Sequence, residues 1–170
     1  MEKKPGTIVK EVTNVEKLLI KGVAKDDRVA RLSILGVKDV PGVAFKIFSS
    51  LAARNINVDI ILQTVARENS QDVTFTVAKT QMEEALAVLN EVKQILGASG
   101  TYCDDNITKV SIVGAGMANH PGVAARMFEA LADANINIQM ISTSEIKISV
   151  LIDKENGERA VNAIHEAFAV

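Results

Sequence analysis

The chain has 170 residues, 48% of them apolar, enough to bury a core as one domain or as two small ones. Nineteen Lys and Arg stand against 21 Asp and Glu, a formal net charge of −2, so no basic surplus favours nucleic acid or an anionic membrane surface. Five Phe, one Tyr and no Trp leave few rings to stack bases, and the single cysteine, Cys103, excludes an internal disulfide and a cysteine-built zinc site.

In chain order, residues 1–14 read as a tail. The charged start lacks the apolar run of a signal peptide, and no stretch approaches the ~18 apolar residues of a membrane span, so a soluble cytoplasmic protein is expected. Residues 17–23 are strand-like but have no local partner. Residues 29–37 alternate, with Val29, Leu32, Ile34 and Val37 between polar neighbours, the pattern of a strand. A Pro-Gly pair at 41–42 follows. Val43, Ala44, Ile47, Phe48, Leu51 and Ala52 then form one apolar helical stripe, which Asn55 can stop in a left-handed cap. Residues 58–65 are strand-like, 67–71 a polar turn, and 73–77 alternate again. A second helix runs over 81–96, ended by residues 98–100, with a short strand at 101–103.

This order then repeats. Residues 41–57 (PGVAFKIFSSLAARNIN) and 121–137 (PGVAARMFEALADANIN) are 80 positions apart and identical at 10 of 17. Strand, helix, strand, strand, helix, strand is the split βαβ unit. The fold class is therefore α+β: two ferredoxin-like βαββαβ domains with antiparallel sheets. The second copy predicts a strand at 108–114, a helix at 123–134, strands at 138–143 and 146–152, and a helix at 157–168. It lacks a fourth strand. An open apolar sheet edge invites aggregation, so Leu18–Val23 is expected to fill that edge. The first domain then covers 26–104, and the second combines 15–25 with 105–170.

No catalytic set is visible. His120 precedes a turn and His165 lies in the last helix, with no carboxylate or thiol partner in their motifs. Cys103 lacks an evident base. Gly114 and Gly116 follow a strand, but Asn119 stands where a dinucleotide loop needs its third glycine. Asp104 and Asp105 read as solvated turn carboxylates rather than metal ligands. The duplicated Pro-Gly-Val-Ala bends carry more. First-turn N–H groups of a helix lack internal partners and suit a small carboxylate; here they come from Gly42, Val43 and Ala44, and from Gly122, Val123 and Ala124. The Asn-Ile-Asn runs at 55–57 and 135–137 add amide donors and acceptors. Asp59 offers an anion to a ligand ammonium where the second copy has Gln139. Gln63 shares its strand face, and Glu145 adds an anion near a strand turn. Such a pocket fits a zwitterionic amino acid. The same residues also serve as plain turn and helix-stop chemistry.

Together, the twin Pro-Gly-Val-Ala and Asn-Ile-Asn motifs, Gly114 to Met117, His120 to Val123, and the run from Ile141 through Ser144 and Glu145 to Ser149 resemble the tandem ACT regulatory region of bacterial aspartate kinases. The resemblance extends from about Val15 to Val170. It implies the separate small regulatory subunit of that family or an excised C-terminal region. It also implies allosteric feedback inhibition by lysine, threonine or both. The target enzyme transfers phosphate from ATP to the β-carboxylate of aspartate, the first step toward lysine, threonine and methionine. No cofactor is implied for this chain; ATP and Mg belong to a kinase domain outside it. The implied partners are that catalytic domain or subunit and a second copy in a homodimer formed through the ACT domains, with no nucleic acid and no membrane. The implied effector contacts are Asp39, Pro41, Gly42, Val43, Ala44, Asn57, Val58, Asp59 and Gln63. From the other chain of the dimer come Val123, Ala124, Asn137, Ile138, Ser144 and Glu145. Some members carry Thr where Ala124 stands, a hydroxyl this chain lacks.

Three other readings compete. A free-standing amino-acid sensor controlling another enzyme would use the same pockets. A small ferredoxin-like enzyme would need company for Arg54 or Arg126. An RNA binder would need exposed rings where Leu32, Ile34, Val58, Ile60 and Val73 stand.

Overall fold

A computed structural model describes residues 20–117 and 120–170. The described residues form two units. Asp26–Thr108 makes one; the residues up to Lys25 with Lys109–Val170 make the other. In chain order the strands are β1 (Ile20–Asp26), β2 (Val29–Lys38), β3 (Ile61–Gln63), β4 (Ser70–Ala78), β5 (Gly100–Asp104), β6 (Ile107–Gly114), β7 (Met140–Thr143) and β8 (Lys147–Asp153). The helices are α1 (Val43–Ala52), α2 (Met82–Leu96), α3 (Val123–Asp133) and α4 (Gly157–Phe168).

The first unit holds a sheet of order β3-β4-β2-β5, with every neighbouring pair antiparallel. Period-2 alternation turns Ala30, Leu32 and Ile34 of β2 and Val73, Phe75 and Val77 of β4 into one core. Onto it pack Val43, Ile47 and Leu51 of α1 and Ala85, Val88, Leu89 and Val92 of α2. Each fully buried Leu, Ile or Phe removes apolar area worth about 1.5–3 kcal/mol. Phe48 meets Phe75 edge-on, ring centroids 5.6 Å apart, a favoured aromatic geometry.

The second unit repeats the plan with order β1-β6-β8-β7. β1 lies beside β6 as β5 lies beside β2, so the N-terminal strand completes the second domain as expected. Ile20 is buried in that core with Val110, Ile112, Met127, Leu131, Val150, Ile152 and Ile164. Leu18, Leu19 and the tail 1–14 lie outside the described residues.

Both first helices end as their Asn predicts. Asn55 (φ 54°) and Asn135 (φ 55°) are left-handed, and the next N–H groups, of Ile56 and Ile136, return to Leu51 and Leu131 at 3.1 and 2.9 Å. The Ile side chains drop into the cores, fixing the chain's exit.

Three boundaries differ from expectation. The strand expected at 58–65 is only Ile61–Gln63, because the Thr76 hydroxyl takes the Ile60 N–H at 3.1 Å in place of a regular ladder bond. β4 begins at Ser70 rather than 73 because Glu68 and Asn69 both have positive φ. Arg67 and Ser70 exchange main-chain bonds of 2.8 and 3.0 Å around them, a tight two-residue hairpin. Finally, α2 stops at left-handed Gly97 (φ 63°), and Gly100 already pairs with Leu35 in the sheet. No helix among the described residues is long and apolar enough to cross a membrane.

Candidate functional site

The two bends are built alike. Pro41 and Pro121 lead into Gly42 (φ 93°, ψ −10°) and Gly122 (φ 99°, ψ −14°), a conformation that glycine adopts at least cost. Each glycine is the N-cap and makes no side-chain capping bond, and neither helix carries an acid in its first turn. Intrahelical bonding starts at Lys46 to Gly42 (3.0 Å) and Arg126 to Gly122 (2.9 Å). Both helices start at Val43 and Val123, where the periodicity placed them, and the N–H groups of the N-cap Gly42 and Gly122 also precede the first intrahelical bond. The first-turn N–H groups belong to Val43, Ala44 and Phe45, and to Val123, Ala124 and Ala125. They form the positive ends of the two helices.

At the second bend a cleft of about 310 Å³ opens, lined by Met117, His120, Pro121, Gly122, Val123, Ala124, Thr143, Ser144 and Ile148. Its floor is apolar, since Val123 and Ile148 belong to the core. Its wall is the β7–β8 turn, held against the end of β6 and the loop that follows it by two bonds. Met117 N–H donates to the Glu145 carbonyl at 3.1 Å, and Gly114 N–H to the Ile146 carbonyl at 2.9 Å. Ser144 closes the turn itself: its hydroxyl accepts the Lys147 N–H at 3.1 Å, and its own N–H donates to the Lys147 carbonyl at 2.7 Å. Three of the expected residues, Val123, Ala124 and Ser144, therefore line one cavity. Glu145 is exposed beside it and does not line it.

The first bend is arranged differently. Asp39 N–H donates to the Asn69 carbonyl at 3.2 Å, tying the approach to Pro41 to the β3–β4 hairpin. Gln63 donates its amide to Gln71 at 2.6 Å, a buried acceptor. The cleft of about 430 Å³ at this hairpin is lined by Thr64, Val65, Arg67, Ser70, Gln71 and Asp72 and by none of the expected residues.

Asn57, Val58 and Asp59, like Asn137 and Ile138, follow the far ends of α1 and α3. Those helices have 10 and 11 residues, so at ~1.5 Å per residue each run lies about 15 Å from its own bend. Neither unit by itself brings a Pro-Gly bend and an Asn-Ile-Asn run together. Asn57 and Asn137 are exposed, while Val58 and Ile138 pack against the cores. Asp59 N–H donates to the Thr76 carbonyl at 3.0 Å. Its counterpart Gln139 gives its amide to Asp153 at 2.5 Å.

Residues outside the expected set, Met117, His120, Thr143 and Ile148, complete the cleft. His120 was visible in the sequence as the residue before the bend; the others depend on the sheet order that sets β7 and β8 beside α3. Asp104 pairs with Arg31 at 3.3 Å and Asp105 with Lys79 at 3.6 Å. No group of three or more potential metal ligands occurs among the described residues. Cys103 is half-buried against the first core.

A family model described as an ACT domain matches twice, over residues 32–92 and 110–168. An aspartate kinase of Stutzerimonas stutzeri is 52% identical over 166 residues, which is 96% of this chain and 40% of that protein. The chain thus spans about two-fifths of the curated relatives it matches. Among solved structures, the ligand-free regulatory subunit of aspartate kinase from Thermus thermophilus superposes with a TM-score of 0.85 at 44% identity, covering 88% of this chain and 99% of that one. A chain of a structure of aspartokinase alpha and beta subunits gives 0.83 at 45% identity, over 89% and 99%. The chain therefore belongs to the ACT-domain family, as a tandem-ACT regulatory region of the aspartate kinase type.

Proposed function

We propose that the chain binds a free amino acid, lysine and/or threonine, and thereby feedback-inhibits an aspartate kinase. The observation that carries this reading is the cleft at the Pro121-Gly122 bend. There, first-turn amides without a capping side chain face a small cavity with an apolar floor. A carboxylate suits those amides, and Asp59 and Glu145 are the acids that the resemblance implies for an ammonium. A bend and its own Asn-Ile-Asn run are separated by a helix length, several times the ~3.8 Å between successive Cα atoms. One amino acid cannot touch both. A second copy of the chain supplies the missing half, and ligand binding thereby strengthens a homodimer.

The phosphotransfer, with its ATP and Mg, belongs to a catalytic part. This is either continuous with this chain or a separate subunit, as in the solved alpha and beta pair. The effector acts by favouring the arrangement it binds better, with couplings of about 1–3 kcal/mol typical of such switches. Calorimetric titration with lysine and threonine, separately and together, alongside sedimentation, tests this. Saturable heat and tighter dimerisation are expected. No heat with either amino acid and no change in association overturns the proposal.

A further inference from the structure

We propose that His120, as the imidazolium, reads the ligand carboxylate in the second cleft, so that binding there takes up a proton. The inference rests on the reading of that cleft as an amino-acid site. Among the described lining residues His120 is the one titratable side chain. The other polar side chains are neutral, and the Ser144 hydroxyl is committed to its own turn. The described lining therefore offers amide and imidazole donors and no acid. Charged groups close to the lining residues in sequence are Glu145 of the β7–β8 turn, Lys147 at the start of β8 and Arg126 in the first turns of α3. None of them lines the cleft, and the Arg126 guanidinium lies over the Phe168 ring, 5.4 Å from its centroid.

The internal repeat sharpens the assignment. Val40 stands where His120 stands. Gln63, with its amide committed to Gln71 at 2.6 Å, stands where Thr143 stands. The second bend thus carries a chargeable donor that the first lacks, and the two bends differ in their response to pH. A carboxylate beside an imidazole favours its protonated form. By linkage, protonation favours the carboxylate in return. Affinity is therefore greatest below the imidazole titration range and falls as pH rises through it.

The test is calorimetry on the whole chain with lysine and with threonine, in paired buffers of different ionisation enthalpy, between about pH 5.5 and 7.5, where imidazole side chains change charge. Proton uptake is expected. So is a Kd that rises with pH on the order of tenfold, the size of one charge-assisted hydrogen bond. His120→Asn should abolish the uptake and flatten the profile. His120→Arg should keep tight binding across the range without uptake, and His165→Asn should behave as the native chain. The His120 N–H bond to the Met117 carbonyl at 3.2 Å is main-chain, so these variants keep it. Binding without proton uptake, or uptake that survives His120→Asn, overturns this inference and leaves the amino-acid reading standing. Absence of binding by either amino acid overturns both.

Discussion

Asp72 accepts the main-chain N–H of Gly36 at 2.9 Å. The bond straddles a bulge in β2, where pairing passes from Ile34 opposite Val73 to Val37 opposite Gln71. Three steps on one strand match two on the other, so β2 bends just before the first Pro-Gly turn. Gly36 takes φ +64°, and a Cβ there would lie 2.3 Å from Ser99 Oγ and 3.0 Å from Ser99 Cβ. Ser99 Oγ is itself tied to the Leu35 carbonyl at 3.0 Å. Gly36→Ala is expected to lower stability by about 2–3 kcal/mol. Gly97 has nearly the same φ, +63°, with nothing within 4 Å of a Cβ, so Gly97→Ala should cost only about 1 kcal/mol. Urea unfolding of the two variants measures the difference; equal losses would mean that Ser99 does not constrain the bulge.

The hydroxyls of Ser111 and Ser149 meet at 2.7 Å, with both residues buried. In the first sheet Ser33 and Thr74 meet at the same distance, 2.7 Å, so the repeat extends to a polar pair in each sheet. Ser149→Ala leaves one buried hydroxyl without its partner and should cost about 1–3 kcal/mol. Replacing both serines by alanine should cost less than the two single changes summed. A double-mutant cycle by chemical unfolding decides this; simple additivity would show that the pair contributes no coupling.

Much of the fold was legible because the repeat supplies its own control. The stripe from Val43 to Leu51 and the stripe from Val123 to Leu131 are the same helix seen twice, and Asn55 and Asn135 stop it by the same left-handed turn. The hairpin at Glu68 and Asn69 was not legible at residue level, because neither position of this positive-φ pair is glycine. The site was legible in its bends and less so in its walls. Thr143 and Ile148 reach the cleft only because β8 lies between β6 and β7. The Asn-Ile-Asn runs look adjacent to the bends in sequence terms, but a whole helix intervenes.

Ile20 is 3% exposed and belongs to the second core, although the 80 residues 27–106 separate β1 from β6. Ile20→Ala should therefore destabilise the second unit by about 2–4 kcal/mol. Removing the Lys25–Glu158 ion pair, 2.7 Å long with Glu158 largely exposed, should cost less than about 1 kcal/mol. Hydrogen exchange reads the location. Protection should fall in β6 and β8 of the Ile20 variant and persist in β2 and β4. A uniform loss over both units would contradict a core confined to one of them.

Asp59 and Gln139 hold equivalent positions in the internal repeat. The Gln139 amide is spent on Asp153 at 2.5 Å, so Gln139→Asp would set two carboxylates against each other and should cost about 1 kcal/mol of stability through like-charge repulsion. Asp59 has Ala78 rather than an acid near the corresponding end of β4, and its main-chain bond to Thr76 (3.0 Å) survives substitution. If Asp59 pairs with the ammonium of a bound amino acid, Asp59→Asn keeps the shape and removes the charge. Binding should weaken on the order of tenfold, one charge-assisted contact. Calorimetry on Asp59→Asn and unfolding of Gln139→Asp give the two numbers. Unchanged affinity in the first removes the Asp59 charge from the site.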